Sequence, residues 1–158
     1  MNLCIPQKYK PQIQYKMTNI TSYRLFNMET NDPNSLFKIA NDNMMNENYD
    51  DAIVYYDKVI ELNPSYISAW NNKGIALYRL KMYESAINCY DKAIEIDPNH
   101  ANAWYNKAKA IRGLAQTCLD KANEDRTSAA KLINQALGLF DSANECYNKG
   151  ESLSKQKS

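Results

Sequence analysis

Glycine and proline are scarce in this sequence, with four and five residues among 158, and this favours long helices over many short strands joined by turns. No run of about 18 consecutive apolar residues is present, so we expect no helix that spans a membrane. The first residues have no apolar core of the kind that a signal peptide needs. The length suits one ordinary domain.

The charges nearly balance, with 19 Lys and Arg against 18 Asp and Glu, which gives a net charge of +1. Such a chain has no overall field that attracts nucleic acid or an anionic membrane, so we expect neither as a partner. The hydrophobic fraction of 44% and the charged fraction of 23% are close to the globular average. The composition therefore indicates a folded domain.

Cysteine and histidine are too few and too dispersed for a zinc site. Cys4, Cys89, Cys118 and Cys146 form no CxxC pair, and His100 is the single histidine. We therefore expect neither a metal nor another cofactor. The four thiols are interpreted as buried or partly buried in a reducing compartment, which predicts a cytoplasmic protein, and a disulfide is the alternative that spacing does not decide.

The sequence repeats itself with a period of 34 residues. Pro64 and Pro98 stand 34 apart, as do Trp70 and Trp104, and the segment 69–74 recurs at 103–108. A weaker copy opens near residue 33. Within each copy, apolar residues recur at helical spacing over two stretches, such as 68–81 and 84–97, so each copy is predicted to form two helices.

The last copy contains an insertion of 16 residues, because its second half stands 50 residues after the preceding copy instead of 34. No proline or glycine lies between Leu114 and Leu137, so the insertion is predicted to lengthen both helices, to about 101–124 and 128–149, with a turn at 125–127. The residues that show the offset of 50 are Ile133, Ala136, Phe140 and Ala143, which follow Tyr83, Ala86, Tyr90 and Ala93.

The central copy resembles the tetratricopeptide repeat family, on the residues Trp70, Gly74, Tyr83, Ala86, Tyr90, Ala93 and Pro98. The resemblance implies an all-α fold, a short right-handed α-solenoid of three antiparallel helix pairs with the last pair elongated. It also implies a concave groove, and members of the family mostly bind peptides or proteins there.

The predicted domain organisation follows the repeats. Residues 33–149 form the repeat domain, divided into 33–66, 67–100 and 101–149. Residues 1–31 lie outside the repeat and are interpreted as a flexible N-terminal arm. Residues 150–158 are predicted to be a polar tail that frays.

In the family the first helix of each pair faces the groove. Asn72 and Asn106 stand one period apart on this face, and a row of carboxamides can pair with the main chain of an extended peptide. The alternative is that these asparagines are inert solvated residues. Projection along the first helices assigns these residues to the groove: Phe37, Lys38, Asn41, Asn71, Asn72, Ile75, Arg79, Asn102, Tyr105, Asn106 and Lys109.

A carboxylate clamp for chaperone C-termini, known in this family, is disfavoured here. Its asparagines correspond to Asn41 and Asn72, but its three cation positions are occupied by Phe37, Asn102 and Asn106. Without these charge-assisted bonds a terminal carboxylate is poorly held.

We find no set of catalytic residues in the sequence. Acidic residues that recur with the period, such as Asp57 and Asp91, are interpreted as the solvated faces of helices. The predicted function is a non-catalytic scaffold that binds a protein or peptide in the groove. The alternative is a structural self-assembly module that forms a homodimer through the uncovered last helix pair or the extended hairpin.

Overall fold

The computed structural model describes residues 32–124 and 126–156, and the arm predicted for residues 1–31 lies outside them. Over the described residues the chain forms helices joined by turns, with no strand. The helices are α1 Pro33–Met45, α2 Tyr49–Leu62, α3 Ile67–Arg79, α4 Tyr83–Ile96, α5 Ala101–Glu124 and α6 Ala129–Lys155.

The three predicted antiparallel pairs are confirmed: α1 packs on α2, α3 on α4 and α5 on α6, and each pair packs on the next. The turns inside the first two pairs are tight. Glu47 and Lys81, one period apart, adopt left-handed backbone conformations with φ of 59° and 60°. A non-glycine residue in this region costs about 1–2 kcal/mol, so the packing of the pairs must offset that cost twice.

The start of α1 is fixed by a side-chain cap. The Asp32 carboxylate accepts hydrogen bonds from the Ser35 backbone N–H at 2.8 Å and from its hydroxyl at 2.9 Å. These bonds stabilise the ionised carboxylate and lower the pKa of Asp32. Pro33 follows at the first helical position, where a missing N–H has no consequence.

The core is built from large rings set against very small residues. Tyr56 and Tyr90 are fully enclosed, and burial raises the pKa of Tyr56 to about 12. At Gly74, a Cβ atom would stand only 2.5 Å from Cε1 of Tyr90. The Tyr90 ring thus fills the space that a side chain at Gly74 would need, which is why the small residue and the aromatic ring recur together.

The tryptophans tie each new pair to the turn before it. The indole Nε1 of Trp70 donates to the carbonyl oxygen of Pro64 at 2.9 Å, and Trp104 does the same to Pro98 at 2.9 Å. Proline leaves its carbonyl as an acceptor after a helix end, and the indole satisfies it. The same contact therefore recurs with the period of 34, from each tryptophan to the proline six residues before it.

The last pair is elongated as predicted, with 24 residues in α5 and 27 in α6. Where the added length begins, Ala115 and Cys118 of α5 form one buried cluster with Ala136 of α6. The packing of the hairpin therefore continues into the insertion.

The polar tail predicted from residue 150 is wrong over most of its length, because α6 continues to Lys155. Gly150 is buried, and a Cβ there would lie 3.2 Å from the carbonyl oxygen of Ala101, so glycine permits a close approach to α5. Leu153 is also buried, and the hydroxyls of Ser154 and Tyr105 are 3.2 Å apart. These contacts stabilise the final turns.

Candidate functional site

The groove face consists of the sides of α1, α3 and α5 that carry the predicted binding residues. Its central feature is a chain of hydrogen-bonded carboxamides that crosses all three helices, the asparagine ladder, formed by Asn106, Asn71, Asn72 and Asn41. Asn106 Nδ2 donates to Asn71 Oδ1 at 3.1 Å, and Asn71 Nδ2 donates to Asn72 Oδ1 at 3.2 Å. Asn72 Nδ2 then donates to Asn41 Oδ1 at 3.1 Å.

The ladder is anchored in the core at one end. The buried Tyr56 hydroxyl also donates to Asn41 Oδ1, at 2.6 Å, so this oxygen accepts two hydrogen bonds. Asn41 contributes only its oxygen to the ladder and Asn106 only its nitrogen. The ladder therefore has a direction. The amide nitrogen of Asn41 takes no part in it at the α1 end, and the amide oxygen of Asn106 takes no part in it at the α5 end.

The ladder changes the interpretation of the asparagine row. Asn71 is 8% exposed, and Asn41, Asn72 and Asn106 are half-buried. These amides bond to one another and hold adjacent pairs together, a use that neither the peptide-pairing hypothesis nor the inert-surface alternative includes. Helical projection could not reveal it, because side chains on different helices meet only once the spacing of the helices is known.

We expect Asn71→Ala to lower the free energy of unfolding by about 1–3 kcal/mol, since it leaves two half-buried amides without their partner. Urea denaturation followed by circular dichroism measures the change. Asn102→Ala is the control, because Asn102 is exposed on the same face and its replacement should stay within about 0.5 kcal/mol. Equal midpoints for the two variants would contradict a structural role for the ladder.

Several other predicted groove residues pack against side chains of this protein. The Phe37 ring lies 5.0 Å from the ring of Tyr66 and 5.8 Å from that of Tyr56, measured between centroids. Ile75 packs on the core cluster of the second pair. Tyr105 lies 5.2 Å from the Tyr147 ring, so the last turns of α6 border it.

The predicted residues that remain exposed on the groove face are polar. Lys38, Arg79 and Lys109 are exposed, one from each pair, and so is Asn102. The face therefore presents three cations distributed over three helices, beside the half-buried amides.

The sequence predicted solvated helix faces for the periodic acids, but two of them, Asp57 and Asp91, pair with lysines of the following helix. Asp91 forms an ion pair with Lys107 at 2.6 Å, and Asp57 forms the equivalent pair with Lys73 one period earlier. Each lysine Nζ also lies 5.8 Å from the centroid of the tryptophan three residues before it. The shared period of 34 between the acids and the lysines was the signal in the sequence that could have revealed these links.

Comparison with known protein families gives the same repeat. Models described as tetratricopeptide repeat match residues 67–100 and 89–126, and a model described as TPR repeat matches residues 45–81. The chain belongs to the tetratricopeptide repeat family. A search among curated proteins returned no match.

Solved structures of similar fold include proteins of the same repeat type. A crystal structure of MamA matches with a TM-score of 0.62 and 21% identity, over 81% of this chain and 61% of the MamA chain. The TPR2B domain of yeast Sti1, solved with pHsp70, matches with a TM-score of 0.53 and 23% identity, over 79% of this chain and 98% of that domain.

A third similar structure is the first TPR of Spaghetti (RPAP3) bound to the HSP90 peptide SRMEEVD. It matches with a TM-score of 0.52 and 22% identity, over 78% of this chain and 91% of that one. These identities establish a shared fold. None of the helices within residues 32–124 and 126–156 combines the length and the apolar composition of a membrane-spanning segment.

Proposed function

We propose that this chain is a non-catalytic scaffold that binds an extended segment of a partner protein along the groove face. The observation that carries the proposal is the asparagine ladder, which fixes α1, α3 and α5 relative to one another. A groove held in this way loses little conformational freedom when a ligand binds, so more of the contact energy appears as affinity.

The ends of the ladder suit a peptide main chain. The Asn41 amide nitrogen can donate to a carbonyl, and the Asn106 amide oxygen can accept from an N–H. An extended peptide offers both groups along its length, and recognition through them does not depend on the side chains of the ligand.

The exposed cations add a preference for negative charge. Lys38, Arg79 and Lys109 lie on successive pairs, so acidic side chains spaced along a ligand can each approach one of them. Charges of this kind mainly steer association and select partners. The proposed ligand is therefore an extended peptide with several acidic residues.

Two of the similar structures hold chaperone ligands, as their descriptions state, so this fold accommodates bound peptides. The present chain differs at the cations that a clamp for a terminal carboxylate requires, because Phe37, Asn102 and Asn106 occupy those positions. We therefore propose recognition of an internal segment through its main chain and acidic side chains, without a requirement for a free C-terminus.

The test uses acidic peptides selected from a random library on the wild-type protein. The triple charge reversal Lys38→Glu, Arg79→Glu, Lys109→Glu should weaken their affinity more than about tenfold, measured by fluorescence anisotropy. The matched control reverses the charge of three exposed lysines that are not among the predicted groove residues, one on α4 and two on the extended hairpin: Lys92→Glu, Lys121→Glu, Lys131→Glu.

The control variant has the same net charge as the groove variant, so a general loss of attraction would affect both. We expect it to change affinity less than about twofold. Circular dichroism should be unchanged in both, since all six positions are exposed. Equal weakening by the two triple variants would contradict binding at the groove face.

A further inference from the structure

One face of α6 has the chemistry of an interface between helix pairs. The α6 face is defined by Ile133, Leu137, Phe140 and Asp141. These residues stand 50 positions after the corresponding face of α4, and that face stands 34 positions after its counterpart on α2. The corresponding residues are Tyr83, Ile87, Tyr90 and Asp91 on α4, and Tyr49, Ile53, Tyr56 and Asp57 on α2.

On α4 this face is covered by the following helix, α5. The Tyr83 ring lies against Gly113, where a Cβ atom would come within 2.5 Å of it. Tyr90 and Ala110 belong to one buried cluster. The Asp91 carboxylate is paired with the Lys107 ammonium at 2.6 Å.

On α2 the covering helix is α3, where Arg79 stands at the position of Gly113, and the contacts of the buried tyrosine and of the acid recur. Tyr56 is packed in one cluster with Ala69, and Asp57 is paired with Lys73. Two independent copies of the interface therefore show which groups the face contacts when it is closed.

On α6 the corresponding face is open. Ile133 is 43% exposed and Leu137 is 57% exposed, whereas their equivalents on α4, Tyr83 and Ile87, are half-buried. Phe140 is half-buried, whereas its equivalent Tyr90 is 1% exposed. Asp141, the equivalent of the paired acids Asp57 and Asp91, is exposed. Apolar side chains beside an acid are thus presented to solvent in the geometry that receives a helix twice elsewhere in the chain.

The covering helices share a short pattern: a small residue, a lysine four positions later, and a second small residue three positions after that. The four alanines of the two patterns have no exposed surface, which allows the helices to approach closely. The residues are Ala69, Lys73 and Ala76 in α3, and Ala103, Lys107 and Ala110 in α5.

We propose that the α6 face binds an amphipathic helix of a partner protein that carries this pattern, a lysine between two small residues. The lysine pairs with Asp141, and the small residues pack over Leu137 and Phe140. The site is separate from the groove face, so the scaffold would hold a helix and an extended segment at two different places.

A second copy of this chain fits the face less well. The first helix, α1, has Ser35, Ile39 and Asp42 at the positions of the pattern, so end-to-end stacking would bring Asp42 to the apolar face, where α3 has Ala76 and α5 has Ala110. Two α6 faces placed together would bring both Asp141 carboxylates into one interface, where like charges repel. The guanidinium of Arg112, on α5, already has other partners on α6, because it donates to Asn144 at 3.0 Å and lies over the Tyr147 ring.

The probe is a synthetic peptide with the sequence of residues 101–113, which contains the complete pattern from α5. Its binding to the whole protein is measured by fluorescence anisotropy. Asp141→Lys and Leu137→Asp should each weaken binding about tenfold or more. Val54→Asp is the control, since Val54 is 49% exposed on α2 and lies outside the proposed site.

Charge exchange makes the test specific for the α6 face. A peptide with Lys107→Asp should bind wild-type protein weakly and should recover its affinity for the Asp141→Lys variant. If the peptide instead displaced α5 from α4, its binding would not depend on Asp141, and the proposal would be overturned. Absence of saturable binding up to about 1 mM peptide would also overturn it.

Light scattering tests the alternative that a second copy of this chain occupies the α6 face. A concentration-dependent dimer of the wild-type protein that is abolished by Leu137→Asp would show that a second copy closes the face, against the proposal. A monomer at all concentrations, together with the charge exchange above, would support it. Neither result depends on what binds at the groove face.

Discussion

Replacing Tyr90 by alanine is expected to lower the free energy of unfolding by about 3–5 kcal/mol, the cost of removing an enclosed aromatic side chain. The Tyr90 ring is 1% exposed and packs with Leu77, Ala86 and Ala110, so it touches α3 and α5 as well as its own helix. The free energy of unfolding of a small domain is usually about 5–15 kcal/mol, so this single change removes a large share of it. Urea denaturation measures it.

Phe140→Ala is the matched comparison, because Phe140 occupies the equivalent position on α6 but is only half-buried. Its loss should be about half as large or less, since the cavity opens to solvent and no following helix rests on the ring. If the two variants had the same midpoint, burial between pairs would not be the source of the stability contributed by Tyr90.

Gly74→Ala is expected to lower the free energy of unfolding by about 1–3 kcal/mol, although alanine is the better helix former by about 1 kcal/mol. The added methyl group would stand 2.5 Å from Cε1 of Tyr90. That ring is enclosed on all sides and cannot turn away, so the two helices must separate. Thermal and urea unfolding of the variant measure the loss.

Gly138→Ala supplies the opposite result from the same substitution. A Cβ at Gly138 meets no atom within 4 Å, so the variant should gain about 0.5–1 kcal/mol from helix propensity alone. A stabilised Gly74→Ala variant would mean that α3 and α4 pack less closely than described.

Much of the fold could be predicted from the sequence because each repeat residue has a strict mechanical task. The Tyr90 ring fills the space that a side chain at Gly74 would need, and the tryptophans bond to the carbonyl oxygens of Pro64 and Pro98. The period of these residues in the sequence therefore indicates how the helices pack. The change of offset from 34 to 50 likewise located the elongated hairpin.

The prediction failed where contacts follow no period. The end of α6 depends on Gly150 lying against Ala101 and on a buried Leu153, and a polar composition conceals both. The asparagines were placed on α1, α3 and α5 from the sequence, but the bonds within the asparagine ladder depend on distances of about 3 Å between side-chain atoms of different helices. Spacing along one helix carries no information at that scale.

The asparagine ladder also has a consequence for the way the protein unfolds. In a linear array, each unit contacts only its neighbours, so the strength of the contacts between units decides whether the array opens in one step or from its ends. Asn71 is bonded to Asn106 in the next pair and to Asn72, which reaches Asn41 in the preceding pair. A protein whose ladder is intact should therefore unfold in a single transition. With the ladder broken at Asn71, the bond from Asn72 to Asn41 still joins the first two pairs, and only the link to the elongated hairpin is lost. The first two pairs would then exchange their amide hydrogens independently of the hairpin, and the array would become two units of different stability.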